Sequence, residues 1–592
     1  MVNTNFSIVD YLVFAFLLIT SSMIGILFWF KSRNKPSNAE FLTGNRQLGL
    51  FPVTMSLVAS FMSTNTLLGL PAEVYQVGTQ FSLQLIGIVV AVVLAAEVFM
   101  PIYYRMALLS VNEYLAKRFN APYIRMAGTV GFLLSTTPYM AVVLYGPALA
   151  LSSVTPLSIP TSILVVGVIC TFYTTIGGIK AVIWTDVLQC ILMFLGVIMV
   201  IIQGVIEVGG VAEVWNINER GDRLKFFNMR FDPYNHDNFW NVVIGTTITW
   251  SAAYCVTQTQ VQRYCSMGSA AKAKRTLYWN LPGLLILAIL AILCGMVIYA
   301  KYHACDPITL GIIERHDQLM PYFVMDTLSK YPGLPGLFVA CVFSGSLSTL
   351  SSGFNALAAI TWEDIVKPRI KITSERQALN ITKLIAMSYG LLAIVMSFGV
   401  GNAGTVLQAS LALTGSMMGP MFALFIIGIF YPRATSLASL IGFISGISVS
   451  LVLSVGSLII PRPKVSLPTT IDSCAAELIQ ELLIKPNQLA KPSFIAYYDN
   501  PDGFGRVFHI SYLLMSAIGL IISLIVTIIF SYCIGKPDDH IDGSLLSPTA
   551  KYIFSFNKKQ QTYCPSDQKD AFDTNNKSDI FESTNSYKIT AV

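Results

Sequence analysis

The most unusual stretch of this sequence is an apolar segment, residues 337–363, whose middle is crowded with small hydroxyl side chains. At about 100° per residue on a helix, Gly345, Ser348, Thr349 and Ser352 fall on one narrow stripe. Small residues and hydroxyls on such a stripe let membrane helices pack closely. The same hydroxyls, with a neighbouring carbonyl, supply the oxygen ligands that a hard cation such as Na⁺ prefers. The stripe is therefore interpreted either as a packing face or as a cation site.

A second polar stretch, from Ser56 to Thr66, interrupts another segment that is apolar enough to cross a membrane. It is followed by Gly69 and Pro71. Backbone at membrane depth can be unwound where it lines a cavity, and secondary transporters place ion and substrate sites at such broken helices. The alternative is a continuous polar helix that faces the interior of a bundle.

Asp186 lies at the start of an otherwise apolar helix. It could cap that helix near the cytoplasmic interface. An ionisable group at membrane depth is, however, a functional candidate. We therefore expect Asp186 to act in a cytoplasmic ion exit or to hold the geometry of an ion site.

Trp250, Tyr254 and Gln258 are four residues apart, so on one helix they share a face. Aromatic and amide groups on one face suit a substrate pocket, and they equally suit a helix interface. Gln408 lies in another glycine-containing polar segment and has the same two interpretations.

The composition indicates which elements must position these side chains. The chain has 592 residues, of which 54% are hydrophobic and 12% are charged, whereas soluble proteins carry about 25% charged residues. The mean hydropathy is +0.63, and apolar runs of about 20 residues recur along the chain. The sequence thus predicts an all-α polytopic membrane protein rather than a globular enzyme. It has no GxxxxGK[ST] loop, so uphill transport by this chain would draw on an ion gradient.

Thirteen membrane spans are predicted. Lys and Arg concentrate in the odd-numbered connections, while the even connections 72–79, 152–159 and 402–404 have none. The positive-inside rule then places the N-terminus outside and the C-terminus inside, and it explains the net charge of +6 without nucleic-acid binding. The predicted spans are residues 10–30, 50–71, 80–104, 126–151, 160–178, 182–207, 239–262, 278–301, 333–360, 381–401, 405–430, 436–460 and 508–534.

Two features are expected on the extracellular side. Asn5 begins an Asn-Phe-Ser sequon and is a candidate glycosylation site close to the first span. Among the ten cysteines, Cys305 and Cys474 alone lie in predicted external loops. They are candidates for a disulfide bond in that oxidising compartment.

Residues 536–592 are polar and are predicted to be a disordered cytoplasmic tail. The tail ends in Ile-Thr-Ala-Val, with Thr590 and Val592 in the pattern of a PDZ-domain ligand. Such a C-terminus can add as a strand to a PDZ domain, with its carboxylate bound by backbone amides. A PDZ-domain partner is therefore a hypothesis for the tail.

Several long motifs, read together, point to one family. They are AEFLTGNRQLG (39–49), SLVASFMS (56–63), VNEYLAKRFN (111–120), CTFYTTIGGIKAVIWTDVLQ (170–189), QTQVQRY (258–264), YPGLPGLFVACVFSGSLSTLSS (331–352) and NALAAITWEDIVKP (355–368). Through them the chain resembles the sodium:solute symporter family from about Phe6 to Phe530. Within that family it resembles the branch of sodium-coupled monocarboxylate, multivitamin and iodide transporters, and YHACDP (302–307) and DQLMPYFVMD (317–326) are most similar to the monocarboxylate transporters.

The resemblance implies a LeuT-type fold with two five-helix inverted repeats, formed by spans two to six and seven to eleven. One helix would precede the repeats and two would follow them. The expected units are 1–49 with the first helix, 50–207 as the first repeat, 208–238 as an extracellular loop, 239–430 as the second repeat, 431–535 with two additional helices around the extracellular loop 461–507, and 536–592 as the tail.

The resemblance also implies a Na⁺ site. Its ligands would be the backbone carbonyls of Ala59, Met62 and Gly345 and the hydroxyls of Ser348 and Thr349. The two hydroxyls and Gly345 lie on the stripe described above, so the resemblance favours the cation interpretation of that stripe.

Two further groups of residues follow from the resemblance. Asp186 and Ser352 would support the Na⁺ site. The substrate would lie beside the ion, against Ser63, Thr66, Trp250, Tyr254, Gln258 and Gln408.

The function implied is that of a multi-pass plasma-membrane symporter, not an enzyme, which couples Na⁺ influx to the uptake of small organic anions. Monocarboxylates such as lactate, pyruvate, nicotinate and short-chain fatty acids are the first expectation. A glutamine of the iodide transporters is replaced here by Thr66, which speaks against iodide. The alternatives are a multivitamin symporter for biotin or pantothenate and a Na⁺-conducting solute sensor.

Overall fold

The computed structural model describes residues 6–32, 38–235, 237–371, 374–400, 406–460, 466–474, 503–534 and 541–553. Within these ranges the regular secondary structure is helical, apart from an isolated parallel bridge between Leu48 and Met267. Ten helices in the same ranges are long and apolar enough to cross a membrane, and a bent pair of shorter helices raises the number to eleven. The predicted class, an all-α polytopic membrane protein, is confirmed.

The helices are numbered along the chain. They are α1 (Ile8–Ser32), α2 (Asn38–Thr43), α3 (Leu50–Phe61), α4 (Leu70–Val77), α5 (Gln84–Leu94), α6 (Met100–Met106), α7 (Glu113–Phe119), α8 (Pro122–Val154), α9 (Ile159–Val208), α10 (Val211–Arg220), α11 (Phe239–Val256), α12 (Gln258–Cys265), α13 (Ala270–Tyr302), α14 (Leu319–Leu328), α15 (Leu334–Ile360), α16 (Glu375–Val400), α17 (Val406–Phe430), α18 (Ser436–Ile459), α19 (Met515–Ile534) and α20 (Pro548–Ile553). Short helical turns, such as Asn65–Gly69, connect several of them.

The polar stretch in the second predicted span is a broken helix. α3 ends after Phe61 because Met62 leaves the helical region, with φ −92° and ψ 84°. The chain resumes a helix at Asn65–Gly69 and continues in α4, and the two halves are bent by 54°. The last carbonyl groups of α3 therefore lack the N–H groups of a following helical turn and are available to other partners.

α9 is also divided, at Gly178. Its 50 residues would extend about 75 Å at 1.5 Å per residue, whereas the apolar core of a bilayer is about 30 Å thick. Gly178 has φ +64° and ψ −175°, a conformation that favours glycine. The Phe41 ring lies 2.6 Å from the position that a Cβ atom on Gly178 would take. The break separates the fifth and sixth predicted spans.

α15 lies at the centre of the bundle. It packs against α9, α8, α1 and α3, and the residues from 338 to 360 are all buried. α1 fixes its start, because Asp10 Oδ1 accepts hydrogen bonds from the backbone N–H groups of Gly333 (2.8 Å) and Gly336 (3.0 Å). A helix enclosed in this way directs its hydroxyl side chains toward neighbouring helices rather than toward lipid.

The C-terminal half of α4 is anchored beside a disulfide bond between Cys305 and Cys474. Asp306, next to Cys305, accepts hydrogen bonds from the hydroxyls of Tyr75 (2.8 Å) and Thr469 (2.9 Å). Tyr75 belongs to α4, and Thr469 belongs to the chain that follows α18. The bond therefore joins the two loops whose cysteines were the candidates for pairing, at the end of the broken span.

Candidate functional site

The break between α3 and α4 lies directly against the hydroxyl-rich middle of α15. A Cβ atom on Gly345 would be 3.0 Å from the Met62 carbonyl oxygen, so a larger residue would separate the two backbones. Thr349, one turn further along α15, donates its hydroxyl to the carbonyls of Gly345 (3.0 Å) and Ser60 (3.2 Å). Ala59 is fully buried beside Ser60. The predicted Na⁺ ligands of α3 and α15 thus lie at one helix contact.

Ser348 lies in the same turn of α15 and is fully buried. Its hydroxyl makes no hydrogen bond of normal geometry to the described residues, and it stands beside the carboxylate of Asp186. The Oδ1 atom of Asp186 is likewise buried and has no hydrogen bond within the described chain. Buried oxygens of this kind are costly unless a partner satisfies them. With the carbonyl oxygens beside them, they are the donor atoms that fit a hard monovalent cation.

A buried ion pair between Asp186 and Arg263 lies next to the contact between α3 and α15. Asp186 Oδ2 accepts hydrogen bonds from the Ser56 hydroxyl (2.5 Å) and from Arg263 Nη2 (3.2 Å). Arg263 also donates to Ser56 Oγ through Nε (2.9 Å) and to Ser352 Oγ through Nη2. Ser352 in turn donates to the carbonyl of Ser348 (2.6 Å). Asp186 and Ser352, the two predicted supporting residues, are therefore joined through Arg263.

Arg263 is the residue that sequence reasoning missed. Arg263 directly follows the predicted span 239–262, in a connection that the positive-inside rule places in the cytoplasm, but its side chain is 2% exposed and belongs to α12. A guanidinium buried to this extent requires an opposite charge, and the polar run of residues 258–263 at the end of a predicted span was the available signal.

A cavity of about 190 Å³ lies next to the ion contact. Ser60, Met62 and Thr349 belong both to that contact and to the cavity wall. All of its described lining residues are uncharged. The other polar and aromatic lining residues include Ser63, Asn65, Thr66, Gln84, Thr136, Tyr139, Thr246, Thr249, Trp250, Gln260, Ser410, Thr414 and Tyr512.

Of the residues predicted to bind substrate, Ser63, Thr66 and Trp250 line this cavity. Gln408 falls within α17, but its side chain is outside the part of the structure that is described. The candidate glycosylation site and PDZ ligand also lie outside the described residues, at Asn5, Thr590 and Val592.

Tyr254 and Gln258 are not among the cavity's lining residues, and their role in substrate binding stays a prediction. The Tyr254 hydroxyl donates to Asn280 Oδ1 (2.7 Å). The Gln258 side chain accepts from the backbone N–H of Val111 (2.9 Å) and donates to the carbonyl of Leu109 (2.7 Å). α11 ends at residue 256 and the chain is extended at residue 257. The four-residue spacing therefore runs along one helix from Trp250 to Tyr254 but does not continue to Gln258.

These features together define a class of protein. A bundle of membrane helices contains a broken helix, buried oxygen atoms at the break, and an uncharged cavity beside them. Secondary transporters place their coupling ion and substrate at discontinuous helices of this kind. The architecture is therefore that of an ion-coupled secondary transporter.

Comparison with known sequences identifies the family. The sodium:solute symporter family matches residues 41–446, and the chain belongs to this family. Human sodium-coupled monocarboxylate transporter 1 is 40% identical over 557 residues, which cover 93% of this chain and 91% of that protein. Human sodium-coupled monocarboxylate transporter 2 is 40% identical over 565 residues (95% and 90%). The rabbit (Oryctolagus cuniculus) sodium-dependent multivitamin transporter is 37% identical over 532 residues (88% and 83%).

A solved structure shows the fold. A Na⁺-coupled sialic acid symporter in a substrate-bound, outward-open state matches with a TM-score of 0.72 at 22% identity, over 90% of this chain and 99% of its own. The family assignment made from the motifs is confirmed, and the fold is LeuT-like as that assignment implied.

Proposed function

We propose that this chain is a symporter that couples Na⁺ influx to the uptake of small monocarboxylates such as lactate, pyruvate, nicotinate or short-chain fatty acids. One observation carries the proposal: Ser60, Met62 and Thr349 belong both to the buried oxygen contact and to the wall of the cavity. An ion and a solute bound there would be neighbours. The similarity to sodium-coupled monocarboxylate transporters supports the substrate class.

Na⁺ is assigned to the contact between α3 and α15. The proposed ligands are the carbonyls of Ala59, Met62 and Gly345 and the hydroxyls of Ser348 and Thr349. The buried hydroxyl of Ser348 is the strongest support, because it makes no hydrogen bond of normal geometry to the described residues and stands beside the Asp186 carboxylate. Thr349 Oγ1 already lies 3.0 Å from the Gly345 carbonyl, so both oxygens can reach one ion.

Asp186 and Ser352 would support the site from behind. Arg263 binds one carboxylate oxygen of Asp186, the other oxygen makes no hydrogen bond of normal geometry to the described residues, and the Ser348 hydroxyl lies beside this carboxylate. The arginine thereby balances most of the buried negative charge and keeps the carboxylate in place. Gly345 and Met62 would close the site from the opposite side.

The uncharged cavity explains why substrate binding would need Na⁺. A carboxylate that leaves water loses its hydration, and no cationic side chain lines the described cavity to replace it. A cation about 4 Å away offers about 4 kcal/mol at an effective dielectric constant of 20. By linkage, the substrate must raise the affinity for Na⁺ by the same factor. Obligatory coupling of the two fluxes would follow, because the charge of the bound Na⁺ stabilises the bound carboxylate.

The cavity volume favours small acids over vitamins. Pockets for drug-sized ligands enclose about 300–1,000 Å³, whereas this cavity has about 190 Å³. Lactate and butyrate are of a size to fit, while biotin carries a fused ring system and a long acid chain. The multivitamin symporter therefore remains the second proposal, and a Na⁺-conducting sensor the third.

Thirteen spans are proposed for the topology, with the N-terminus outside, the C-terminus inside and the protein in the plasma membrane. The ten long helices and the bent pair support eleven. The division of α9 at Gly178 supports a twelfth, and α11 with α12 fills the seventh predicted span. The two inverted repeats would be residues 50–207 and 239–430. The proposed binding partners are Na⁺, the organic anion and, at the tail, a PDZ domain.

Uptake of labelled lactate or nicotinate tests the function. Cells that express the chain would be compared in Na⁺ and in choline medium, with unlabelled biotin as competitor. We expect Na⁺-dependent accumulation that biotin does not reduce. Inhibition by biotin, or uptake of biotin alone, would move the assignment to the vitamin transporters. Na⁺ currents without accumulation against a gradient would favour the sensor.

A further inference from the structure

Two residues of the cavity wall come from outside the predicted inverted repeats. Tyr512 and Leu513 precede the first turn of α19, and both line the cavity. The family match ends at residue 446, so this segment is also beyond the matched part of the chain. A wall built from such a segment could distinguish this transporter from others that share the repeats.

The segment is held tightly against α11 and α17, two of the helices that contribute to the rest of the wall. Ser516 and Thr249 of α11 share a hydrogen bond between their hydroxyl oxygens (2.8 Å). A Cβ atom on Gly245 of α11 would overlap the Leu513 carbonyl, and one on Gly419 of α17 would overlap the backbone of Ser516. These glycines allow contact between backbones, so the start of α19 is a fixed part of the wall rather than a loose cover.

Tyr512 joins the cavity wall to α4. Its hydroxyl donates to Glu73 Oε1 at 3.4 Å, and Glu73 belongs to α4, the half of the broken helix beyond the ion contact. Two residues further along α4, Tyr75 is bound to Asp306 beside the disulfide bond. Glu73 follows Met62 by 11 residues in the broken helix, so the Tyr512 hydroxyl is separated from the ion contact along that helix.

We infer that Tyr512 and Leu513 contact the acyl chain of the bound acid and limit its length. The inference rests on the proposed function: with the carboxylate beside Na⁺ at the α3–α15 contact, the rest of the molecule extends toward the start of α19. There it meets the Tyr512 ring and the Leu513 side chain. Both residues are therefore specificity determinants contributed by a helix outside the repeats.

The test compares acids of different length. Na⁺-dependent uptake of labelled butyrate and octanoate would be measured for the wild-type chain and for the Tyr512→Ala, Tyr512→Phe and Leu513→Ala variants, each at known surface abundance. One methylene in an apolar pocket changes selectivity by about 10-fold or more. We expect Tyr512→Ala and Leu513→Ala to raise the octanoate-to-butyrate ratio of kcat/KM by at least about 10-fold. Tyr512→Phe keeps the ring and should change that ratio less than about 3-fold.

Ile521→Ala is the matched control, because Ile521 lies on α19, directly after these residues, but is 51% exposed and is not part of the described cavity wall. It should leave the ratio unchanged. If Tyr512→Ala does not reach the surface, Leu513→Ala decides the question. An unchanged ratio in the alanine variants at residues 512 and 513 that do reach the surface would overturn the inference while the proposed function stands. Absence of Na⁺-dependent uptake by the wild-type chain would overturn both.

Discussion

Replacement of Ser348 by alanine tests the assigned Na⁺ site most directly. The Ser348 hydroxyl is buried and makes no hydrogen bond of normal geometry to the described residues. Its removal therefore breaks no hydrogen bond of normal geometry in the fold, although it takes a hydroxyl neighbour away from the Asp186 carboxylate. The main cost that we expect is the loss of one oxygen ligand to the ion.

The size of that cost follows from the energy of a hydrogen bond to a charged group. Such bonds contribute about 1.5–3 kcal/mol, and a neutral oxygen ligand to Na⁺ is of the same order. Since about 1.4 kcal/mol corresponds to a factor of ten in affinity, the Na⁺ concentration for half-maximal uptake should rise about 10- to 150-fold. At a fixed physiological Na⁺ concentration, uptake should fall accordingly.

The assay is Na⁺ activation of labelled lactate uptake, combined with surface biotinylation. Ser344→Ala is the matched control: Ser344 is on the same helix and equally buried, but its hydroxyl donates to the Ala340 carbonyl (2.7 Å). We expect this control to stay within about 2-fold of the wild-type activation curve, because a hydroxyl bonded within its own helix contributes little.

Two results would refute the reasoning. A Ser348→Ala curve that overlays that of the wild type, at normal surface abundance, would remove Ser348 from the ion site. A loss of protein from the surface, in place of a shifted Na⁺ curve, would show that the hydroxyl serves folding.

Three further predictions concern the supporting structure. Arg263→Ala leaves Asp186 buried without its opposite charge, which costs about 3–5 kcal/mol of folding free energy. We expect little of this variant at the cell surface, and partial recovery when Asp186 is also changed to Ala. Normal surface abundance of the single variant would contradict this role of Arg263. Cys305→Ser and Cys474→Ser each remove the disulfide bond, which joins residues with a sequence separation of 169. In the chain-entropy model, a bond that closes a loop of this length stabilises the fold by about 4–5 kcal/mol. The purified variants should melt at a lower temperature than the wild type, and reductant should lower only the wild-type value. Gly178→Ala forces a φ of +64° on a residue with a side chain and should destabilise the fold by about 1 kcal/mol or more, so an unchanged melting temperature would count against a fixed break at this position.

The sequence alone was sufficient for properties that depend on local pattern. Apolar runs of about 20 residues determine a helical membrane protein, because a single segment in lipid can satisfy its own backbone hydrogen bonds only as a helix. The stripe of Gly345, Ser348 and Thr349 follows from the helical period within one element. The polar stretch around Met62 indicated a break for the same local reason, and the motifs identified the family.

Only the tertiary structure decided which distant groups meet. Asp186 and Arg263 are 77 residues apart, and no periodicity connects two helices that pack across a bundle. Gln258 left the expected face because the chain is extended at Thr257, which ends the helical period on which the prediction rested. Tyr512 reached the cavity from a helix beyond the repeats. A helix's own sequence determines which face is polar, whereas the partner of that face depends on how the whole bundle packs.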